Sequence, residues 1–327
     1  MYKIVLFIPT MNRYQSVKEY IDTSIDICLA HNICIYIFDS STNDETCQYI
    51  NQIIDNKNCR DIILYKRVQD YPDKTTDLKV MEGFEEIKNI AEYVWLCGDG
   101  VIANIELCLK YVNSSIKDGS DVIYFEYEKK EDRDGIRKCN DNVEFFSQYG
   151  WGATSYGATI ISTKLIDTEL LKNLYKNYRN TGFLYWHFLF TQLSKNDSLN
   201  IQIVNTQYFH KNKYKKTNAS YGNGKFLKFW VENWSNAVYG LPEIYESHKA
   251  EVAKDIGNNL HLYSPHNLIK LRGTNNLEKN QVYNYHDKFQ LVTDVPFNVI
   301  ALYTYFPKWL AKIYVKFRSF VAGYVRK

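Results

Sequence analysis

Short apolar runs alternate with stretches in which apolar residues recur every three or four positions. Residues 3–8 (KIVLFI), 33–38 (ICIYIF), 61–65 (DIILY), 93–97 (YVWLC) and 121–127 (DVIYFEY) predict five strands. Between them, residues 14–31 carry Val17, Ile21, Ile25 and Cys28 at helical spacing. Residues 75–91 do the same with Leu78, Met81, Phe84, Ile87 and Ile90. Helices are also expected near 44–55, after the capping cluster Ser40-Ser41-Thr42-Asn43-Asp44, and over 105–112. Strands alternating with helices predict an α/β chain with a mostly parallel sheet flanked by helices. In such sheets ligands sit beyond the carboxyl ends of the strands. Three of those ends are Pro9-Thr10, Asp39-Ser40 and Gly98-Asp99.

Beyond residue 128 the pattern loosens. Residues 129–142 are charged and read as a loop, and 157–162 (GATIIS) as a strand. Residues 163–177 and 183–193 read as helices, 201–204 as a short strand, and 208–221 as a polar, Lys-rich segment. Helices follow over 224–257, around Leu241-Pro242. The shift to helical, aromatic-rich sequence predicts one domain over 1–221 and a helical region over 222–327.

Composition narrows the class. Of 327 residues, 45% are hydrophobic and 24% charged, which describes a folded chain with ample core. A net charge of +3 is too mild to argue for nucleic acid. The seven Cys all fall in the first 139 residues, odd in number and without CxxC spacing. Neither a zinc site nor a redox motif is implied, and a reducing, cytoplasmic setting is expected. Met1-Tyr-Lys running straight into a strand predicts no leader. No apolar stretch reaches the roughly 20 residues that span a bilayer, and the best one, 297–306, stops at Pro307-Lys308. Aromatic residues are abundant at 16%, and their placement matters more than their number.

The chain has no GxGxxG, P-loop, GxSxG or HExxH, which removes the usual support for dinucleotide enzymes, ATPases, serine hydrolases and zincins. Asp39, at a strand end, can accept hydrogen bonds from a base or a ribose; the alternative is a cap on the following turn. Asp99 lies between Gly98 and Gly100, which permit a sharp turn and a close ligand approach. A carboxylate there suits Mg2+ or Mn2+, or else an ordinary turn.

Three segments taken in order, PTMNR at 9–13, FDSSTNDET at 38–46 and YVWLCGDG at 93–100, resemble the inverting family 2 glycosyltransferases of GT-A fold. Members of that family have a strand and P-x-x-N-R/N loop, a strand ending in D-x-S-x-D-x-T, and a strand ending in a D-x-D metal motif. The resemblance covers residues 3–125 well and 150–210 loosely. It implies a GT-A (Rossmann-like) fold, a nucleotide-sugar donor, usually UDP-linked, and Mn2+ or Mg2+ on the diphosphate. Carried over by residue, Pro9, Thr10 and Arg13 flank the nucleotide with Gly98. Asp39 and Ser41 face the uracil or ribose, and Asp77 or Lys79 supplies a further nucleotide contact. Asp99 matches the metal-binding Asp, but Cys97 and Gly100 stand where the family has further acids.

The implied reaction needs a general base. The family places an Asp or Glu at a downstream helix N-terminus. Residues 181–187 (TGFLYWH) contain no acid there, which leaves His187 as the candidate, or as a core histidine. His210, ahead of Lys211, Lys213, Lys215 and Lys216, is a candidate metal or diphosphate contact; the alternative for that run is a solvated loop. Trp151 and Tyr156, in the Gly-rich segment YGWGATSYGA, are candidate acceptor contacts, since aromatic faces stack on sugars.

The segment 297–327 is a second constellation. Phe297, Ile300, Tyr303, Phe306, Trp309, Leu310, Ile313, Phe317, Phe320 and Tyr324 interleave with Lys308, Lys312, Lys316, Arg318, Arg326 and Lys327, and no acid occurs from 308 on. That pattern predicts an amphipathic segment on an anionic membrane surface; the alternative is a helix packed on its own domain. Together these readings predict a peripheral, inner-face glycosyltransferase using a UDP-sugar and a glycan acceptor, lipid-linked as in capsule or exopolysaccharide synthesis. The alternatives are a degenerate glycan-binding or scaffold protein and a sugar nucleotidyltransferase.

Overall fold

A computed structural model describes residues 1–57, 59–71, 76–126, 135–196, 198–214 and 224–324. The chain divides into two units, Met1–Thr217 and Asn218–Lys327.

The first unit contains β1 (Tyr2–Thr10), β2 (Cys34–Asp39), β3 (Ile63–Arg67), β4 (Ala91–Leu96), β5 (Val101–Ala103), β6 (Val122–Phe125), β7 (Gly135–Cys139), β8 (Thr159–Ser162), β9 (Ile201–Asn205) and β10 (Phe209–Lys211). Its helices are α1 (Tyr14–His31), α2 (Glu45–Lys57), α3 (Asp77–Ile87), α4 (Ile105–Lys117), α5 (Asn142–Tyr149), α6 (Thr168–Tyr178) and α7 (Leu184–Leu193). Eight strands form one sheet in the order β3-β2-β1-β4-β8-β6-β9-β7, while β10 and β5 form a separate ribbon. From β3 to β4 every pairing is parallel. β8 is antiparallel to both its neighbours, β6 and β9 are parallel, and β7 closes the edge antiparallel. This mostly parallel, helix-flanked α/β sheet is the GT-A fold.

The sequence explains the arrangement locally. All six residues of β2 are buried, as is β1 from Ile4 onward. Strands covered on both faces carry unbroken apolar runs for this reason. Helix α3 lies hard against β1: a Cβ on Gly83 would come within 2.2 Å of the Phe7 ring, so only glycine allows that approach. Helix α7 is buried almost all round, which its sequence LYWHFLFTQL anticipates.

Two segments differ from the sequence expectation. The stretch 129–142 reads as a loop, yet its described part holds β7 and the Asp141 cap of α5. β7 exposes Ile136, Arg137 and Lys138 in succession, so it has no alternation to betray it; pairing with β9 holds it. The helix expected over 163–177 is a 3-10 turn at Thr163–Leu165 followed by α6, which starts after Asp167 accepts from the Leu170 N–H.

The second unit is helical. A π-helical stretch, Lys228–Asn233, runs into α8 (Trp234–Tyr239), followed by α9 (Glu246–Asn259), α10 (Pro265–Gly273), α11 (Lys279–Asn284), α12 (His286–Val292), α13 (Phe297–Tyr303) and α14 (Lys308–Tyr324). Trp234, Tyr245, Val252, Leu268, Phe289 and Val292 form its core. Helix α14 docks on α10 at close range: a Cβ on Gly273 would meet the Ala311 backbone oxygen at 2.9 Å. Among the described residues no helix is long and apolar enough to cross a membrane.

Candidate functional site

The carboxyl ends of the parallel strands bring the polar residues into one row. Thr10 on β1 is in register with Asp39 on β2, and Asp39 with Arg67 on β3. Asp99 follows β4 on the other side of β1. The Thr10 hydroxyl donates to Asp99 Oδ2 at 2.9 Å, and Arg13 Nη1 donates to Asp99 Oδ1 at 2.6 Å. Asp99 is 6% exposed, whereas the Arg13 side chain retains 24%. Lys79 on α3, buried, donates to the Thr10 carbonyl at 2.7 Å, so its charge lies against the end of β1.

Asn12 explains the loop between β1 and α1. It adopts a left-handed backbone, φ 53°, which Asn tolerates better than most residues. Its N–H donates to the Ser41 hydroxyl at 2.8 Å, and its side-chain carbonyl accepts from the Thr42 N–H at 2.9 Å. The loops after β1 and β2 are thereby clamped together, which fixes the base of Arg13.

Asp39 is fully buried and engaged within the chain. It accepts from the Ser41 N–H at 2.8 Å, from the Ser41 hydroxyl, and from the Tyr65 hydroxyl at 2.8 Å. Burial and the adjacent Asp39 push the Tyr65 phenol up, so it stays a donor. A ligand reaching Asp39 must exchange with one of these bonds. The buried Ser40 hydroxyl finds no partner among the described residues, which leaves hydrogen-bonding capacity unspent at the strand ends.

Tyr156 also reaches this region. A Cβ on Gly98 would meet Tyr156 Cβ at 3.6 Å, and the Tyr156 hydroxyl bonds the Thr76 hydroxyl at 2.7 Å, just ahead of α3. Trp151 is half-buried at the head of the 3-10 turn Gly152–Thr154. Asp77 is engaged within the chain: its carboxylate accepts from the Thr181 and Gly182 N–H groups at 2.9 Å each and from the Leu184 N–H at 3.4 Å. It caps α7 from α3.

His187 lies in the interior of the first unit. It is 2% exposed on α7, with its ring stacked on Tyr178 at 3.9 Å between centroids. That is the packing of an interior histidine, the alternative its sequence context also offered. His210 is exposed on β10, opposite Ile102 in the ribbon beside the Gly98–Gly100 turn. Lys215 and Lys216 lie outside the described residues.

Sequence reasoning missed Asn212. Its side-chain amide donates to the Asp99 carbonyl at 3.1 Å and the Ser16 carbonyl at 2.8 Å, tying the segment after β10 to the Asp99 turn and to α1. No local pattern marks it, because both partners are remote in sequence.

The described residues around Asp99 do not fit a divalent metal. Both Asp99 oxygens are already engaged, one by a cation. Gly100 offers no ligand, and burial pushes the Cys97 thiol up to about 12, which keeps it a neutral thiol. Among the described residues no group of three His, Cys, Asp or Glu could hold a metal ion.

No protein-family model matches the chain, and no curated protein matches it. Solved structures do. S. aureus TarS 1–349 in complex with UDP-GlcNAc aligns over 89% of this chain and 81% of that one, with TM-score 0.57 and 17% identity. TarS 1–349 in complex with UDP aligns over 97% and 91%, with TM-score 0.51 and 14% identity. A longer TarS chain aligns over 91% of this chain with TM-score 0.55 and 14% identity, and this chain spans only 50% of its length. At these identities the likeness establishes the fold.

Proposed function

We propose that the first unit is a glycosyltransferase that takes a nucleotide-sugar, UDP-linked, and transfers its sugar to a glycan hydroxyl with inversion. The observation that carries this reading is the convergence of Thr10, Arg13, Lys79 and Asp99 at the carboxyl ends of β1 and β4, where α/β sheets bind their ligands. TarS, which shares the fold, has been solved with UDP and with UDP-GlcNAc. In the reaction the acceptor hydroxyl oxygen bonds to the anomeric carbon and gives up its proton to a base or to solvent water, the bond from that carbon to the diphosphate breaks, and UDP departs with the pair. Cationic groups at the strand ends would stabilise that charge. Tyr156, beside Gly98, is the better placed of the two aromatic candidates to border the sugar.

Calorimetric titration with UDP, followed by UDP release from UDP-sugars in the presence of glycan acceptors, tests the reading. Absence of UDP binding at millimolar nucleotide would overturn it. UDP binding without release on any donor and acceptor would favour the scaffold alternative, which the burial of His187 supports.

The second unit carries the proposed membrane contact and, with it, the lipid-linked acceptor and the role in capsule or exopolysaccharide synthesis. Ala311, Val315 and Tyr314 turn α14 toward α10, where Tyr314 bonds His266. By helical periodicity the opposite face presents Trp309, Ile313 and Phe317, all exposed, beside exposed Lys312 and Lys316. Leu302 and Tyr305 extend that apolar ridge. Lys308 belongs elsewhere, paired with Glu278 at 2.7 Å. Arg326 and Lys327 lie outside the described residues, as do the side chains of Phe320 and Tyr324. An exposed aromatic ridge flanked by cations fits the interface of an anionic bilayer. The full chain should float with vesicles containing phosphatidylglycerol, and a Trp309→Ser, Ile313→Ser, Phe317→Ser variant should not. Equal flotation of the two would refute the contact.

A further inference from the structure

The Arg13–Asp99 pair bears on how a diphosphate is held. A site that captures Mg2+ or Mn2+ must present carboxylate oxygens with free lone pairs and a surplus of negative charge. Here the reverse is seen. Asp99 gives one oxygen to a guanidinium at 2.6 Å and the other to a hydroxyl at 2.9 Å. Lys79 adds a second positive charge at the Thr10 carbonyl. His210 stands exposed on the neighbouring ribbon and joins no ligand cluster among the described residues.

Arg13 itself is well prepared for a phosphate. Asp99 takes one terminal nitrogen of the guanidinium, and the side chain is 24% exposed, so its other N–H donors open toward solvent. The planar fork matches phosphate oxygens. Its backbone follows the left-handed Asn12, which Ser41 and Thr42 clamp, and the carboxylate of Asp99 fixes its far end. An arginine held at both ends loses little freedom when an anion arrives.

We propose that Arg13 takes the place of a divalent cation: oriented by Asp99, it meets the diphosphate of the nucleotide-sugar directly, so that donor binding is independent of metal. This rests on the nucleotide-sugar reading above. Asp99 is then a positioning residue for Arg13, and the acids replaced by Cys97 and Gly100 are dispensable.

The test is calorimetric titration of the full chain with UDP, first in chelator and then with Mn2+ or Mg2+ added. The affinities should agree within about threefold, whereas loss of one charge-assisted contact in Arg13→Ala should weaken UDP in chelator about 10- to 100-fold. Arg13→Lys should recover part of that loss, and uridine, which lacks phosphate, should bind wild type and Arg13→Ala alike. Asp99→Asn should weaken UDP less than Arg13→Ala and leave binding indifferent to metal. Thermal melts of each variant separate lost binding from lost fold, and the comparison in wild type needs no variant. UDP binding that appears only with metal, or that Asp99→Asn abolishes while Arg13→Ala spares it, would overturn the inference and leave the nucleotide-sugar reading intact. No UDP binding with or without metal overturns both.

Discussion

Asp77 offers the sharpest test of how the strand-end region is built. Its buried carboxylate takes two backbone N–H bonds at 2.9 Å and one at 3.4 Å, all from the segment that opens α7. Replacing a capping residue by Ala costs about 0.5–2 kcal/mol. A buried donor left unpaired costs about 1–3 kcal/mol, and Asp77→Ala strands the two closer ones, which are part-buried and so fall at the lower end. Removing the buried charge returns part of this, because the carboxylate no longer has to be desolvated. The net expectation is a loss of about 2–4 kcal/mol. At about 2–4 °C per kcal/mol for a unit of this size, the melting transition should fall by about 5 to 15 °C. Asp77→Asn keeps a carbonyl acceptor and should recover roughly half of the loss. Scanning calorimetry of the full chain reads the transition, and amide hydrogen exchange at Thr181 and Gly182 locates the effect. A transition unmoved within a degree, with unchanged exchange at those amides, would refute the cap. Loss of turnover at an unchanged melting temperature would instead make Asp77 a participant in the reaction.

Other outcomes follow from the same packing. Gly83→Ala forces a Cβ to 2.2 Å from the fully buried Phe7 ring, an overpacking of about 1–3 kcal/mol that exceeds the gain of about 1 kcal/mol in helix propensity. The melting temperature should drop, and Phe7→Leu in the same chain should restore part of it. A rise on Gly83→Ala alone would contradict the contact. His187→Phe should leave UDP release within a few-fold, since the ring packs on Tyr178; removal of a true general base would cost about 100-fold or more. His266, at the α10–α14 contact, has its pKa lowered below the ordinary 6.5 by burial and then by Arg318 and Lys270. The native state therefore binds fewer protons than the unfolded chain, so the stabilisation is present above 6.5 and is lost as pH falls through the lowered pKa. The second unit's melting temperature should decline modestly over that range in scanning calorimetry, and a rise on acidification would reverse the assigned sign.

Much of the parallel half of the sheet was legible. β1, β2 and β4 announce themselves as apolar runs because both faces are covered, and the position rule for α/β sheets then picks out Thr10, Asp39 and Asp99. The antiparallel direction of β8 was not legible, since GATIIS fixes a strand but not its neighbours. β7 left no trace because its outward residues are exposed in a row. For His187 the signal existed: LYWHFLFTQL has no polar face, and a helix of that kind is buried all round.

Two absences in the motifs resolve in different ways, for one reason. Residues 181–187 lack an acid at the start of α7, yet a carboxylate is there, brought from Asp77 across a separation of 104 residues. The turn after β4 lacks the acids of a metal motif, and a positive charge occupies Asp99 instead, brought from Arg13 across 86 residues. A motif records which residues stand side by side along the chain. The electrostatics of a site depend on which charges the fold brings within about 3 Å of one another, and that is decided by α1 and α3 crossing the ends of the same strands. At α7 the imported charge accepts from the backbone donors that open the helix. At Asp99 the imported charge leaves donors open to solvent, which an anion can use.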